Sequence, residues 1–510
     1  MQEVHEGLSR FKVLIIGGGA REHAISLLLY RSAAEPSISS LSSSTNPGIL
    51  RLCEASRGKC MKGKVTDPKE TLNAADEVSP DLVVIGPEEP LFSGVSDVLR
   101  EKGFIVFGPS SKASIIEKDK GFARHLMWKY KIPGRLRYKA FKDPEEASEY
   151  ARASGDSVVK PARQAGGRGV RVFGESAEHL SRIARNAAAM YTKRLAEEVR
   201  KEYNDIENTI VVEERAEGIE YTAMNVTDGN SFVALPIVED HPHLYPWDLG
   251  PETGGMGSIS GPSYMLPFLT REEFEESTGI VEATVKAIYS ELKEEYIGVI
   301  SGQMMLTSLW GPTLIEYYAR FGDPEIGNLL FMIESDFLEL IDLAARRKLS
   351  SYKLEVRGDV YIINKAVAPE GYPLMREKGR GHPIVVNEDR IRSLGCEVLY
   401  GGVDIINGRP ITTGSRALEV LCRSEVGFEE ASRLAEKAIA EVSTLDGYRL
   451  IHRWDIGMQE HIGLRVKKAE VARLAYTRRR CKGLNVIYDW IPGKCVIEFD
   501  YSSDSKFSQG

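Results

Sequence analysis

Residues 11–19 have the sequence FKVLIIGGG, a mostly apolar run that ends in three glycines. Such a run is typical of a buried parallel strand followed by a tight turn. Residues 81–85 (DLVVI) and 104–107 are similar runs, each followed by a Gly-Pro pair, and residues 22–30 have helical spacing. Strands that alternate with helices predict a doubly wound α/β domain, whose functional edge lies at the carboxyl ends of its strands.

The chain as a whole has the length and composition of a multidomain globular protein. Its 510 residues predict two to four domains, and its contents of 42% hydrophobic and 27% charged residues are ordinary. No apolar run reaches the length of a membrane span, and residues 1–11 lack the apolar core of a secretory signal. We therefore expect a cytoplasmic protein without a membrane segment.

Charge and cysteine usage exclude several other classes. The formal net charge of −8 argues against general nucleic-acid binding. Residues 465–482 are locally basic; a solvated helical face is the favoured interpretation, and docking of RNA or a partner is the alternative. The six cysteines form no CxxC pair, so neither a zinc ribbon nor a disulfide framework is indicated, and free thiols are expected.

The rest of the chain indicates a mixed α and β organisation with boundaries near residues 345 and 458. The serine-rich residues 37–45 are predicted to form a loop. Strands and turns return after residue 350, and residues 428–442 are predicted to be helical. In the central region, strands are predicted over 158–160, 209–214, 221–226, 232–238, 299–308 and 312–318, and helices over 176–203, 269–293 and 336–348.

Residues 160–170 have the sequence KPARQAGGRGV, which is suited to binding an anion. Three glycines, Gly166, Gly167 and Gly169, let backbone amides approach a phosphate without side-chain clash, and arginines add positive charge. The segment is not a Walker loop, because GxxxxGK[ST] does not occur in the chain. A hairpin tip with incidental arginines is the structural alternative.

Lysines and acids around this segment occur in the order that a nucleotide site requires. Such a site needs lysines for phosphate and a carboxylate for a divalent metal. Each acid taken alone would be interpreted as a solvated surface carboxylate. The residues concerned are Lys120, Lys160, Glu213, Glu214, Glu220 and Glu316.

Two further strings are rich in glycine: residues 17–24 (GGGAREHA) and 250–257 (GPETGGMG). The first suggests a dinucleotide fingerprint, but in the GxGxxG register that begins at Gly17 the last position is Glu22. A nicotinamide-binding role is therefore poorly supported.

These strings and several others resemble the phosphoribosylamine–glycine ligase family of the ATP-grasp superfamily. They run in family order over residues 11–457, and SGQMML and GSIS (257–260) favour the archaeal-type branch. The matching strings are GGGAREHA (17–24), NPG (46–48), GPEEPL (86–91), FGPS (107–110), GPETGGMG (250–257), SGQMML (301–306), ARFGDPE (319–325), TTGSRAL (412–418) and RWDIG (453–457).

The resemblance implies a reaction and an architecture. ATP would phosphorylate the carboxylate of glycine, and the amine of 5-phosphoribosylamine would attack the resulting glycyl phosphate, giving glycinamide ribonucleotide, ADP and phosphate in de novo purine biosynthesis. Mg²⁺ (or Mn²⁺) would be required, and the enzyme would be a cytoplasmic monomer or homodimer with small-molecule substrates. The implied parts are an N-terminal α/β domain (11–115), an ATP-grasp domain (116–345) with a mobile glycine-loop subdomain (about 133–208), a mixed β/α domain (346–457) and an extra tail (458–510).

The resemblance also implies roles for individual residues. Those for ATP are Lys120, Lys160, Gly166, Gly167, Gly169, Glu213, Glu214, Arg215 and Glu220. Those for the substrates are Gly18, Gly19, Arg21, Pro87, Glu88, Asp240, Gly254 and Gly255. Arg320, Asp323 and Arg168 are the implied catalytic residues, and Glu316 is the implied metal ligand.

Four positions depart from the family pattern in or near this implied site. Tyr318 replaces an asparagine two residues after Glu316, Arg168 replaces the flap lysine, Glu252 replaces an asparagine, and Pro242 interrupts an Asp-His-Lys-Arg string. Glu252 is a candidate substitute metal ligand. These changes leave two alternatives open: an ATP-grasp ligase with another substrate, or a weakly active nucleotide-binding paralogue. His241 and His243 are interpreted as loop histidines rather than as a metal site. In the tail, apolar residues around Pro492-Gly493 suggest a small hairpin.

Overall fold

The structure is a computed structural model that describes residues 10–154, 157–163, 169–173, 182–484, 486–491 and 495–501. Its first part is a parallel sheet with helices on both faces, as predicted. The order of the strands is β3-β2-β1-β4-β5, so the glycine turns after β1 and β4 meet at one edge. The elements are β1 (Lys12–Ile16), α1 (Ala20–Tyr30), β2 (Ser37–Ser42), α2 (Pro47–Ala55), β3 (Cys60–Lys62), α3 (Pro68–Val78), β4 (Leu82–Ile85), α4 (Glu88–Phe92), α5 (Val95–Glu101) and β5 (Val106–Phe107).

Strand β2 corrects the prediction of a serine-rich loop over residues 37–45. It pairs in parallel with both β1 and β3, and Ser39, Ser40 and Ser42 are buried. Small side chains are needed there because a Cβ atom on Gly18 would lie 2.7 Å from the Cβ atom of Ser42. Pairing on both sides therefore overrides the low strand propensity of serine.

The second part is a four-stranded antiparallel sheet with the order β6-β9-β7-β8. Helices α8 and α9 cover it and bury Phe141, Val159, Leu195 and Val199. The predicted strands over 158–160 and 209–214 are confirmed, whereas residues 176–181 of the predicted helix lie outside the described residues. The elements are α6 (Ile115–Lys118), α7 (Lys120–Lys129), β6 (Tyr138–Phe141), α8 (Pro144–Ala153), β7 (Ser157–Pro161), β8 (Arg171–Phe173), α9 (Arg182–Glu202) and β9 (Ile210–Glu214).

The third part is built on a long antiparallel sheet that continues across the predicted boundary near residue 345. Its main path is β17-β16-β10-β12-β15-β18-β23-β20. Its first elements are β10 (Gly218–Thr227), β11 (Phe232–Ala234), β12 (Val238–Asp240), β13 (His243–Tyr245), β14 (Leu249–Glu252), β15 (Gly257–Ser260), α10 (Arg271–Leu292), β16 (Gly298–Thr307), β17 (Gly311–Tyr318), α11 (Glu325–Met332) and α12 (Phe337–Ala345). The others are β18 (Tyr361–Pro369), β19 (Arg380–Val386), α13 (Glu388–Ser393), β20 (Cys396–Tyr400), β21 (Val403–Ile406), β22 (Arg409–Thr413), β23 (Leu418–Ser424), α14 (Phe428–Ile439), β24 (Val442–Thr444) and β25 (Leu450–Ile451).

The chain ends in a long helix, α15 (Gln459–Cys481), and an antiparallel pair, β26 (Val486–Ile491) and β27 (Cys495–Asp500), which confirms the predicted hairpin. Helix α15 departs from the predicted solvated basic face at two arginines. Arg465 pairs with Glu239 and Asp248, and Arg473 pairs with Glu273, while Lys467 and Lys468 are exposed. The helix packs on β16 and β10, so burial draws two of its arginines towards carboxylates of the sheet and of α10.

The prediction of free cysteines is wrong for one pair. Cys396 on β20 and Cys422 on β23 face each other in the sheet and form a disulfide. The register between β20 and β23 places the two cysteines opposite each other. The sequence has no CxxC spacing that would have indicated this pair. Among the described cysteines, Cys53, Cys60 and Cys481 are free. In the described part of the chain, no helix is both long and apolar enough to cross a bilayer.

Candidate active site

A cleft between the four-stranded sheet and the long sheet collects the predicted phosphate lysines. Lys120 is the first residue of α7, whose amino terminus is capped by Asp119, and Lys160 lies near the end of β7. Both side chains are buried, and Lys120 Nζ lies 3.6 Å from Glu316 Oε2 on β17. Two buried cations beside one carboxylate suit a site where phosphate and a divalent metal meet.

Beyond the lysines the cleft widens into a cavity of about 840 Å³. The linker from β9 to β10 borders it, and so do the exposed Lys467 and Lys468 of α15. Glu213, near the end of β9, is committed within the protein, because Arg124 donates to both of its carboxylate oxygens over 3.1 and 2.9 Å. Glu213 is also paired within the sheet, with Tyr138 on one side and Val158 on the other.

The next two predicted residues, Glu214 at the end of β9 and Arg215 after it, bind other side chains. Glu214 accepts hydrogen bonds from Trp310 Nε1 over 3.2 Å and from the Tyr501 hydroxyl over 2.7 Å. Arg215 pairs with the exposed Glu217 at 2.5 Å. Since successive side chains of a strand point to opposite faces, Glu213 and Glu214 have different surroundings.

Seven acids line a cavity of about 270 Å³ at the inner end of the cleft: Glu88, Glu220, Asp240, Glu252, Glu316, Asp323 and Glu325. Burial and the nearby carboxylates of Glu220 and Glu316 raise the pKa of Glu252 to about 7. Burial alone would raise the pKa of Glu316, but Lys120 and Lys160 hold it below its usual value. Mutually repelling carboxylates are stabilised by a divalent cation, so the residues present fit a metal ion.

Arg320 lies at the centre of a buried ion-pair network on the other side of this cavity. Its Nε atom is 3.4 Å from Glu88 and 3.6 Å from Glu117, and its guanidinium stacks on the Tyr318 ring. Arg21 lies 3.7 Å from both Glu88 and Asp323 and therefore extends the network to the glycine turn after β1. The structure thus brings together the predicted residues of α1, α4 and the loop after β17.

Arg416 is a site residue that the sequence interpretation left without a role, although it lies in the quoted TTGSRAL string. Its Nη1 donates to the carbonyl oxygens of Gly254 and Gly255 over 2.6 and 2.7 Å, and its Nη2 lies 2.9 Å from Asp323 Oδ1. Gln303, Glu117 and Glu325 were also missed. Gln303 and Glu325 lie in quoted strings, whereas Glu117 lies in none of them.

The remaining predicted residues lie along the same cleft. Gly18 and Gly19 line a separate cavity of about 250 Å³ together with Ser43, Ser44 and Arg416. Pro87 caps α4 next to Glu88, and Asp240 is half-buried, with the pKa of its carboxyl raised well above the usual value by desolvation and by Glu325. Gly169 adopts a left-handed φ of 77°. Gly166, Gly167 and Arg168 lie outside the described residues.

A cleft between an antiparallel sheet and a larger sheet, with lysines on one side and metal-suited acids on the other, defines an ATP-grasp enzyme. Three family models match the chain: the N domain of phosphoribosylglycinamide synthetase over residues 11–117, its ATP-grasp (A) domain over 118–326 and its C domain over 362–459. Phosphoribosylamine–glycine ligases of Methanopyrus kandleri and Methanocaldococcus jannaschii are 40% and 39% identical to it, covering 91% of this chain and 99% and 100% of theirs.

Solved structures agree with these matches. The phosphoribosylamine–glycine ligase of Thermotoga maritima aligns with a TM-score of 0.69 at 26% identity, covering 87% of this chain and 100% of that one. A biotin carboxylase domain from Hydrogenobacter thermophilus, solved with MgADP, has a TM-score of 0.62 at 16% identity, over 92% and 96% of the chains, and shares the fold alone. The chain belongs to the phosphoribosylamine–glycine ligase family, whose members are ATP-dependent carbon–nitrogen ligases of purine biosynthesis.

Proposed function

We propose that this chain joins glycine to 5-phosphoribosylamine with Mg²⁺ as the metal, and that the cleft residues described above carry out the reaction in the cytoplasm. The observation that supports this most is that Lys120 lies 3.6 Å from Glu316 and that the charge of the buried Lys160 acts on the same carboxylate, because phosphate charge and a metal carboxylate then occur in one place. Glu316 and Glu252 would hold the metal, which neutralises charge that develops on the phosphates.

The reaction proceeds in two displacements. A carboxylate oxygen of glycine attacks the γ-phosphorus of ATP, and ADP leaves with the electrons of the broken bond. The amine of phosphoribosylamine then attacks the glycyl carbonyl carbon, phosphate leaves with its bridging oxygen, and the nitrogen loses a proton. Lys120 and Lys160 orient the phosphates, while Arg320, held by Glu88 and Glu117, faces the charge that develops at the acyl group.

The cavity lined by Gly18, Gly19 and Arg416 suits the phosphoribosyl part of the second substrate. Backbone amides at the amino terminus of α1 favour an anion there, and Arg416 adds a guanidinium. Asp323, between Arg21 and Arg416, lies where this cavity joins the acidic one and would position the amine. The two substrates would therefore meet beside Asp323.

ADP release with Mg²⁺, glycine and freshly made phosphoribosylamine tests this proposal. Release that requires both substrates, with glycinamide ribonucleotide as product, is expected. Alanine and serine in place of glycine serve as matched controls for the carboxylate. Release that needs neither substrate, or tight ATP binding without release, would overturn the proposal and favour the weakly active paralogue.

A further inference from the structure

Three side chains without a role in the proposed reaction converge at the edge of the cleft, where Asp248 lines the cavity of about 840 Å³. His241 directly follows β12, Asp248 ends a short 3-10 turn at Pro246–Asp248, and His461 lies in the first turn of α15. One ligand atom from each lies within 4.8 Å of the other two. The rings of His241 and His461 have centroids 5.3 Å apart. Residues more than 200 positions apart in sequence thus form one cluster of metal-binding side chains.

The backbone of His241 is hydrogen-bonded, but the nitrogens of its ring are not, among the described residues. Its backbone N–H donates to Gly257, its backbone carbonyl accepts from Met256, and its side chain is fully buried. Among the described residues, neither ring nitrogen has a hydrogen-bond partner. An unpaired buried polar group costs about 1–3 kcal/mol, so the position requires an explanation.

The surrounding charges decide which cation fits. Arg453 and Arg465 each donate to the Asp248 carboxylate, over 2.9 and 2.7 Å, and so reduce its attraction for a cation. Glu239, two residues before His241, adds a buried carboxylate oxygen without a hydrogen-bond partner among the described residues. Binding would therefore rest mainly on imidazole nitrogens, which select a transition metal such as Zn²⁺ over Mg²⁺.

We propose that His241, Asp248 and His461 form a binding site for one Zn²⁺-class ion, separate from the metal of the ligase cleft. Zinc–nitrogen bonds of about 2.0–2.1 Å place tetrahedral ligand atoms roughly 3.3 Å apart, so side-chain shifts of about 1 Å complete the site. The ion ties α15, which extends beyond the matched C domain, to the loop of Pro242 and His243 that borders the nucleotide cleft. Its role is structural, because none of its three ligands lines the cavity that contains Glu316, Arg320 and Asp323.

The test uses the full chain without a histidine tag, stripped with a chelator and then dialysed against Zn²⁺ in excess Mg²⁺. We expect one retained zinc per chain by elemental analysis. His461→Gln, which keeps a hydrogen-bonding amide near Asp248, should lose it with an affinity drop of roughly 100-fold or more. His382→Gln is the matched control, since His382 pairs with Asp446 elsewhere, and it should retain the ion.

A second measurement, the cobalt spectrum, uses only the unaltered chain. Co²⁺ replacing Zn²⁺ in the unaltered chain should give the intense visible bands of low-coordinate cobalt with nitrogen ligands. Saturating zinc should also raise the melting temperature of the unaltered chain but not that of His461→Gln. The proposal is overturned if the unaltered chain retains no zinc in excess Mg²⁺, or if His461→Gln retains as much. These measurements do not depend on ADP release. The zinc site and the proposed ligase reaction can therefore fail independently of each other.

Discussion

The Tyr318 hydroxyl donates a hydrogen bond to Glu316 Oε1 over 2.6 Å. Burial and the neighbouring Glu316 charge hold the pKa of Tyr318 well above its usual value, so the hydroxyl remains a donor. Tyr318 stands where the family pattern has an asparagine that could bind a metal. Its hydroxyl instead occupies one carboxylate oxygen of Glu316, the predicted metal ligand. Tyr318 also packs against Arg320, whose guanidinium lies 4.3 Å from the ring centroid.

Replacing Tyr318 by asparagine should strengthen metal binding. The change frees Glu316 Oε1 and supplies an amide oxygen, so the Mg²⁺ concentration for half-maximal ADP release should fall by roughly 3–10-fold. Tyr264→Phe, which removes a hydroxyl bonded to the Leu354 carbonyl away from the cleft, is the control. An unchanged or higher Mg²⁺ requirement in Tyr318→Asn would show that Glu316 does not bind the metal.

Arg416 should be needed for the second substrate rather than for ATP. Arg416→Met removes the donors to Gly254, Gly255 and Asp323, and we expect kcat/KM for phosphoribosylamine to fall by about 100-fold or more, with KM for ATP little changed. Arg416→Lys should recover part of the loss, because a lysine keeps charge but not the fork of donors. Equal losses for both substrates would contradict the assignment.

Glu117 should make stability depend on pH. Burial raises its pKa from 4.5 to about 7, so the folded state favours the protonated form. The stability linked to this group is present below about pH 4.5 and lost as pH rises to about 7, up to an order of 3 kcal/mol. Glu117→Gln still accepts from the Ala319 N–H and should lack this decline. Denaturant unfolding at pH 5 and pH 8 measures it, with the exposed Glu429→Gln as control.

The tail should stabilise the wall of the nucleotide cleft. Tyr501 stacks on Trp310 with ring centroids 3.6 Å apart, and its hydroxyl donates to Glu214. Tyr501→Ala should lower the free energy of unfolding by about 2–3 kcal/mol and raise KM for ATP by roughly 3–10-fold. Tyr501→Phe keeps the stacking and should cost only about 1 kcal/mol.

The exposed Tyr289→Ala is the control for this effect. If Tyr501→Ala lowers stability while KM for ATP stays unchanged, the tail does not act on the cleft.

Local sequence was sufficient where one segment carries its own signal. The strand at residues 12–16 with its glycine turn and the strands over 158–160 and 209–214 were all predictable. The quoted strings also include Lys160 and Arg320, which line the cleft. Prediction from local sequence failed at β2, where pairing with two neighbouring strands outweighs the preference of serine for loops.

What the sequence by itself determined is the family, the strand–helix order and several of the residues that line the cleft, because glycine turns, strand runs and spaced charges are local patterns. Only the tertiary structure decided that Arg416 reaches Asp323, that Cys396 meets Cys422 and that His461 joins His241. Those contacts depend on sheet register and helix packing across long stretches of chain. The hydrophobic burial that sets both is a property of the whole fold and not of any one segment.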